Sequence, residues 1–244
     1  AIQAAKQILI QRVREAERMA TIGQITASLS HELRNPLSAV KLNLQILKKN
    51  LQLNGNDQRR LEISEQEVMR LERILLELLD FAKPLKIQRD ACNINRVVSS
   101  AVELLELKFK QKGVALLSFL DPEIPSIQAD GEKLEQAVIN LLLNALEASR
   151  PRTRVWVTSR CPAGQIDAVH FCVEDEGPGV NRESLEEIFE PFFTTKTRGT
   201  GLGLTNVRRI VEAHGGSVKV SPGKFGGASF DIRLPIEEDQ ISRK

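Results

Sequence analysis

Between residues 19 and 51 apolar side chains recur at alternating intervals of three and four: Met19, Ile22, Leu29, Leu33, Leu37, Val40, Leu44, Leu47 and Leu51, with Thr26 holding one place. That spacing lines up one stripe along an α-helix and commits the segment to a coiled coil or helix bundle. Turn chemistry at Asn54-Gly55-Asn56 breaks the pattern. A second stripe then runs through Leu61, Ser64, Val68, Leu71, Leu75, Leu78 and Ala82. Two long helices joined by a short turn form an antiparallel helical hairpin. One hairpin alone leaves much of its seam in water, whereas two pair into a four-helix bundle, so a homodimer is expected.

Pro84 ends the second helix, because proline has no N–H and crowds the preceding turn. Beyond it the pattern changes. Helices are predicted over 95–111, 131–149 and 202–214, and strands over 114–120, 154–160, 170–175, 216–220 and 228–234. Strands mixed with helices, with antiparallel pairs late in the chain, predict an α/β sandwich. The expected organisation is a connecting helix over 1–20, the helical hairpin over 21–83, a linker over 84–92, the sandwich over 93–236 and a tail over 237–244. The chain starts without Met inside a predicted helix, so an upstream segment is expected.

The 244 residues carry 34 Lys and Arg against 32 Asp and Glu, a formal charge of +2. Such a balance gives no general attraction to nucleic acid or to an anionic membrane, so phosphate binding has to come from a local site. Three cysteines, Cys92, Cys161 and Cys172, without a CxxC pair argue against a disulfide framework or a zinc site and fit a reducing cytoplasm. The longest nearly apolar run, 137–146, contains two asparagines and is too short to span a bilayer.

His31 lies two residues from both Leu29 and Leu33, which turns it away from the seam. A lone helical histidine is ordinarily structural or solvated, but this one stands in Ser30-His31-Glu32-Leu33-Arg34-Asn35-Pro36-Leu37. Pro36 loosens the helix beside it. A neutral imidazole can attack phosphorus through one nitrogen while an acceptor holds the other, and Glu32 can orient the ring or take its proton. Asn35 shares the face of His31 one turn on and can hold a water for the reverse step. His170 and His214 fall outside this pattern, in a strand and at a helix C-terminus, where positive charge is welcome.

Further on, Asn140 and Asn144 place two amides on one helical face, where side-chain oxygens suit Mg²⁺ with its retained waters and nucleotide phosphates. A polar stripe on a buried helix would look the same. Asp175-Glu176-Gly177-Pro178-Gly179 ends an apolar strand with a carboxylate, which accepts from the exocyclic amine of adenine and repels the carbonyl of guanine. A plain β-turn is the alternative. Phe189, Phe192 and Phe193 precede Thr195 and Lys196 and read either as core or as anchors of a lid. Gly199-Thr200-Gly201-Leu202-Gly203-Leu204 then opens a helix, and its missing side chains and free N–H groups admit phosphates. The spacing is neither that of a dinucleotide fold nor of a P-loop. Gly226-Gly227 is a closing glycine motif or a hairpin turn.

Taken in order, these segments resemble the H-box, N-box, G1, F and G2 boxes of sensor histidine kinases of two-component systems. The resemblance implies a dimerisation and phosphotransfer hairpin with His31 as phosphoacceptor. It also implies an ATP-binding sandwich of the kind shared with gyrase, Hsp90 and MutL. Asp175, Gly177, Gly179, Asn140, Thr195, Lys196, Gly199, Thr200, Gly201, Leu202, Gly203 and Leu204 would line the ATP site, with Asn144 on the metal. It implies ATP and Mg²⁺ as cofactors, a response-regulator receiver domain as partner, and no membrane contact by this segment. The related ATPases carry a glutamate where this sequence has Asn140, so the resemblance favours transfer to histidine over hydrolysis. A hydrolysing ATPase of the same fold and a non-catalytic dimeric scaffold are the competing classes. Many family members also carry a basic residue shortly after the second asparagine, where this sequence has Leu146-Glu147-Ala148, which leaves Lys196, or Arg198, to supply charge to the phosphates. The wording of the Asn144 and Phe192 segments is similar to the nitrogen-regulation branch.

Overall fold

The computed structural model describes residues 37–49, 55–161, 167–181, 184–185, 187–196 and 199–236. His31, Glu32, Asn35, the connecting helix over 1–20, Arg198 and the tail over 237–244 lie outside them. The chain divides into two compact units, Ala1–Pro84 and Leu85–Lys244.

In the first unit, residues 37–49 form helix α1 and Gly55–Ala82 form helix α2. Their antiparallel register is read from two ion pairs, Lys41 Nζ to Glu72 at 2.8 Å and Lys48 Nζ to Glu65 at 3.2 Å. Both are at least partly exposed and mark the pairing more than they stabilise it. Val68 and Leu75, one heptad apart on α2, are buried. Other apolar residues of the two helices stay open within one chain: Val40 is 47% exposed, Leu47 45% and Leu71 50%. Helix α2 already begins at Gly55, inside the predicted turn. N–H groups of a first helical turn need no intrahelical partner, so Gly55 and Asn56 cost little there.

The second unit builds a five-stranded sheet from β2 (Ala115–Leu120), β4 (Arg154–Arg160), β5 (Ala168–Asp175), β7 (Ala228–Pro235) and β6 (Ser217–Pro222), in that spatial order. The β2–β4 pair is parallel and the others are antiparallel. A second, two-stranded sheet pairs β1 (Asp90–Cys92) with β3 (Ile127–Ala129). Alternate burial along β4 and β5 shows that one face of the large sheet is covered. The cover is α3 (Ile94–Lys112), α4 (Gly131–Ala148) and α5 (Gly203–Ala213). The core joins Val155, Val157, Phe171 and Ile232 of the sheet to Val98, Leu105, Val138, Leu142 and Ile210 of the helices.

Local chemistry sets the helix ends. Asn93 caps α3 by accepting from the Arg96 N–H, and Gly113 closes the helix with φ of +71°. Asp130 caps α4 through the Lys133 N–H at 3.1 Å. Strand β1 lies within the segment read from the sequence as linker, so residues 85–92 belong to the second unit.

Candidate nucleotide-binding site

The C-terminal half of α4 gathers three separate loops. Asn144 sits one turn from the helix end and is partly buried. A Cβ on Gly203, the first residue of α5, would lie 3.8 Å from the Asn144 amide nitrogen, so the glycine loop opens its helix against that side chain. The end of β5 reaches the same place from another side. A Cβ on Gly177 would lie 3.0 Å from the Ala148 Cβ and 2.7 Å from the Asp175 carboxylate. Lys196 arrives from the phenylalanine segment: its Nζ donates to Asn144 Oδ1 at 2.9 Å and to the Glu147 carboxylate at 2.5 Å.

Asp175 is only 3% exposed. The Gly177 N–H at 2.8 Å and the Ala228 N–H at 3.4 Å both donate to its Oδ1. Among the described residues no hydrogen bond reaches Oδ2. Burial pushes the carboxyl above its ordinary range, while the two N–H donors oppose that shift. Glycines frame this carboxylate because nothing larger fits. A Cβ on Gly227 would stand 1.9 Å from the Asp175 carbonyl oxygen, and one on Gly179 would stand 2.9 Å from the Gly227 carbonyl oxygen. The Gly226-Gly227 pair is therefore a hairpin turn in which Gly227 is also part of the carboxylate's wall.

The aromatic segment divides between the roles considered for it. Phe189 is buried, meeting Phe230 edge-on at 6.4 Å, and Phe193 packs on the core. Phe192 is 49% exposed and adopts φ of +68°. Gly201 lies directly on this backbone, since its Cβ would be 2.4 Å from the Phe192 carbonyl carbon. Thr200 Oγ1 accepts from the Leu202 N–H at 3.4 Å. Leu202 is buried and Leu204 packs on the core, so their side chains anchor the loop. Gly199 bonds back to the Lys196 carbonyl, while Thr195 is exposed. Asn140 is partly buried one turn before Asn144.

Asn144, Gly177, Asp175, Gly203 and Lys196 are thus assembled around one helix end. The donor set also suits a divalent cation. Asn144 Oδ1 and a Glu147 oxygen already converge on one positive charge, the Lys196 ammonium, and hard oxygen donors are what Mg²⁺ takes. In the sequence Glu147 stands out only within Leu146-Glu147-Ala148, the segment that lacks a basic residue. Its proximity to Lys196 depends on a loop 49 positions away.

Residues 129–238 match the model of the histidine kinase-, DNA gyrase B- and HSP90-like ATPases, which defines the class of the second unit. Residues 21–85 match the His Kinase A phosphoacceptor domain. With both domains in this order, the chain belongs to the sensor histidine kinases. It is 33% identical to the sensor histidine kinase ZraS of Escherichia coli over 98% of its own length and 50% of that protein. It is 34% identical to the signal transduction histidine-protein kinase AtoS of the same species, over 93% of the chain and 37% of the relative. The chain therefore spans about half or less of these relatives' length. Among solved structures it resembles full-length ShkA in complex with AMPPNP, with a TM-score of 0.72, 29% identity, and coverage of 87% of this chain and 45% of that one. It also resembles the histidine kinase ThkA in complex with the response regulator TrrA, with a TM-score of 0.68, 29% identity, and coverage of 92% and 64%. Among the described residues no helix is long and apolar enough to cross a membrane.

Proposed function

We propose that the chain transfers the γ-phosphoryl group of Mg-ATP to its own His31 and then to an aspartate of a response-regulator receiver domain. The observation that carries the reading is the assembly of Asp175, Asn144, Lys196 and the Gly201–Gly203 loop around the end of α4. Asp175 Oδ2 accepts the adenine amine, the glycine loop and the α5 N-terminus receive the phosphates, and Asn144 holds the metal, with Lys196 released to the phosphates. Mg²⁺ supplies neutralisation of phosphate charge when bound.

An imidazole nitrogen of His31 forms the new bond to phosphorus, the bond from phosphorus to the β–γ bridging oxygen breaks, and ADP leaves with the electron pair. Glu32 takes the imidazole proton. Asn140, an amide where a hydrolase needs a base, leaves water unactivated. Asn35 orients water for dephosphorylation of the regulator. The protein works as a homodimer through the apolar hairpin residues left open in one chain, on the cytoplasmic side, with a regulator of the nitrogen-regulation type.

The test is incubation with γ-labelled ATP and Mg²⁺, beside His31→Gln and Asn144→Ala. The expected result is acid-labile, alkali-stable protein label absent from both variants. Free phosphate without protein label, unaffected by His31→Gln, would instead establish a hydrolase.

A further inference from the structure

His214 is 4% exposed, and the chemistry described above makes no use of it. It closes α5 at the end remote from the nucleotide loop, and both of its ring nitrogens are engaged. The Asp130 backbone N–H points at Nε2 at 2.9 Å. Nδ1 lies 2.8 Å from the Ile210 carbonyl oxygen. An amide N–H only donates and a carbonyl only accepts, so Nε2 is bare and Nδ1 carries the proton. The ring is therefore neutral, against the charge that a helix C-terminus would favour by itself.

Asp130 is the cap of α4. The imidazole thus ties the backbone N–H of that cap, on the helix bearing Asn144, to the last turn of the helix that begins at Gly203. The two helices run antiparallel, since Gly203 faces Asn144 at one end and His214 meets Asp130 at the other. The clasp is about 21 Å along α4 from Asn144. The segment entering the domain lands on the same two helix ends. The Gln88 N–H donates to Asp130 Oδ2 at 3.0 Å, and the Arg89 guanidinium donates to the Ala213 carbonyl at 3.3 Å.

We propose that His214 is a positioning residue: a neutral, Nδ1-protonated imidazole that sets the register of α4 against α5 and so fixes Asn144 opposite the glycine loop. It also couples that register to the entering segment at Gln88 and Arg89. Helices packed by side chains alone can slide by fractions of a turn, whereas a short hydrogen bond at a buried end resists sliding because the orphaned N–H would find no water. The proposal rests on Asn144 and Gly203 belonging to the nucleotide site.

The experiment is a double-mutant cycle on Mg-ADP affinity with His214→Phe and Asn144→Ala in the full chain, each checked for folding by circular dichroism. His214→Phe, which keeps ring volume and removes both hydrogen bonds, is expected to weaken Mg-ADP on the order of tenfold. That loss should shrink in the Asn144→Ala background, because His214 acts through Asn144. Effects that simply multiply, or an unchanged affinity in His214→Phe, overturn the proposal alone. If Asn144→Ala by itself leaves Mg-ADP affinity unchanged, the site reading falls and the proposal with it. Should His214→Phe not fold, nitrogen NMR of the unaltered chain decides. A bare Nε2 that shifts together with the Asp130 amide on Mg-ADP saturation supports the clasp, and a protonated Nε2 or unmoved resonances refute it.

Discussion

Replacing Asp175 by asparagine should weaken nucleotide binding while leaving the fold as stable as before, or more so. Burial is the largest influence on this carboxyl and raises it above the usual carboxylate value; the Gly177 and Ala228 N–H groups oppose the rise without cancelling it. A carboxyl raised in the folded state binds more protons there than in the unfolded chain, in the window between the two values. Stability contributed by the protonated group is therefore lost as pH rises through that window, and at neutral pH the ionised group opposes folding. The substituted amide would retain an oxygen for the Gly177 and Ala228 donors and would not ionise. The melting temperature should hold or rise at neutral pH, and its decline from mildly acidic to neutral pH should flatten.

Binding moves the other way. A hydrogen bond to a charged acceptor contributes about 1.5–3 kcal/mol, so Mg-ADP affinity should fall about 10- to 150-fold. The introduced amide N–H₂ can donate to a guanine carbonyl, so discrimination between Mg-ADP and Mg-GDP should narrow. Isothermal titration with both nucleotides, alongside scanning calorimetry at two pH values, measures each part. A melting temperature lowered by several degrees with Mg-ADP affinity intact would show that Asp175 is a structural acceptor and that adenine is read elsewhere.

Gly201→Ala places a methyl 2.4 Å from the Phe192 carbonyl carbon at φ of +70°, a clash with backbone that no rotamer relieves. Stability should drop by roughly 1–2 kcal/mol for the left-handed residue, and Mg-ADP should bind roughly tenfold more weakly as the loop shifts, both read in one calorimetric titration series. An unchanged affinity would place the phosphates away from this loop. Leu71→Glu puts a charge on the face that one hairpin leaves open. Two lost leucine burials per dimer amount to about 3–6 kcal/mol, enough to yield monomers at micromolar concentration in sedimentation, whereas a persistent dimer would move the interface off this face.

Most of the second unit's elements are legible from periodicity. The strand predicted over 154–160 coincides with β4, and the helices over 95–111, 131–149 and 202–214 differ from α3, α4 and α5 by no more than one residue at either end. Strands β1 and β3 are missed because three residues are too few to show alternation, and they exist only by pairing with each other across at least 35 positions of chain. Asn144, Asp175 and the glycine loop are found by their residue types and order, since a carboxylate after an apolar strand and a glycine run before a helix carry local signatures. Glu147 and His214 carry none for the contacts they make, and Asp130 only that of a helix cap, because the remaining partners are distant in sequence.

The sequence by itself determined the helical hairpin, the sandwich behind it, and the chemical alphabet of the site. Those follow from side-chain spacing, turn residues and donor–acceptor inventory, which are local properties. Only the tertiary structure decided that Gly177 and Gly227 wall in Asp175, that Lys196 rests on Asn144 and Glu147, and that a buried neutral histidine joins two helix ends. Those depend on which segments the folded core brings within a few ångströms, and close approach between distant segments leaves no trace in the spacing of either.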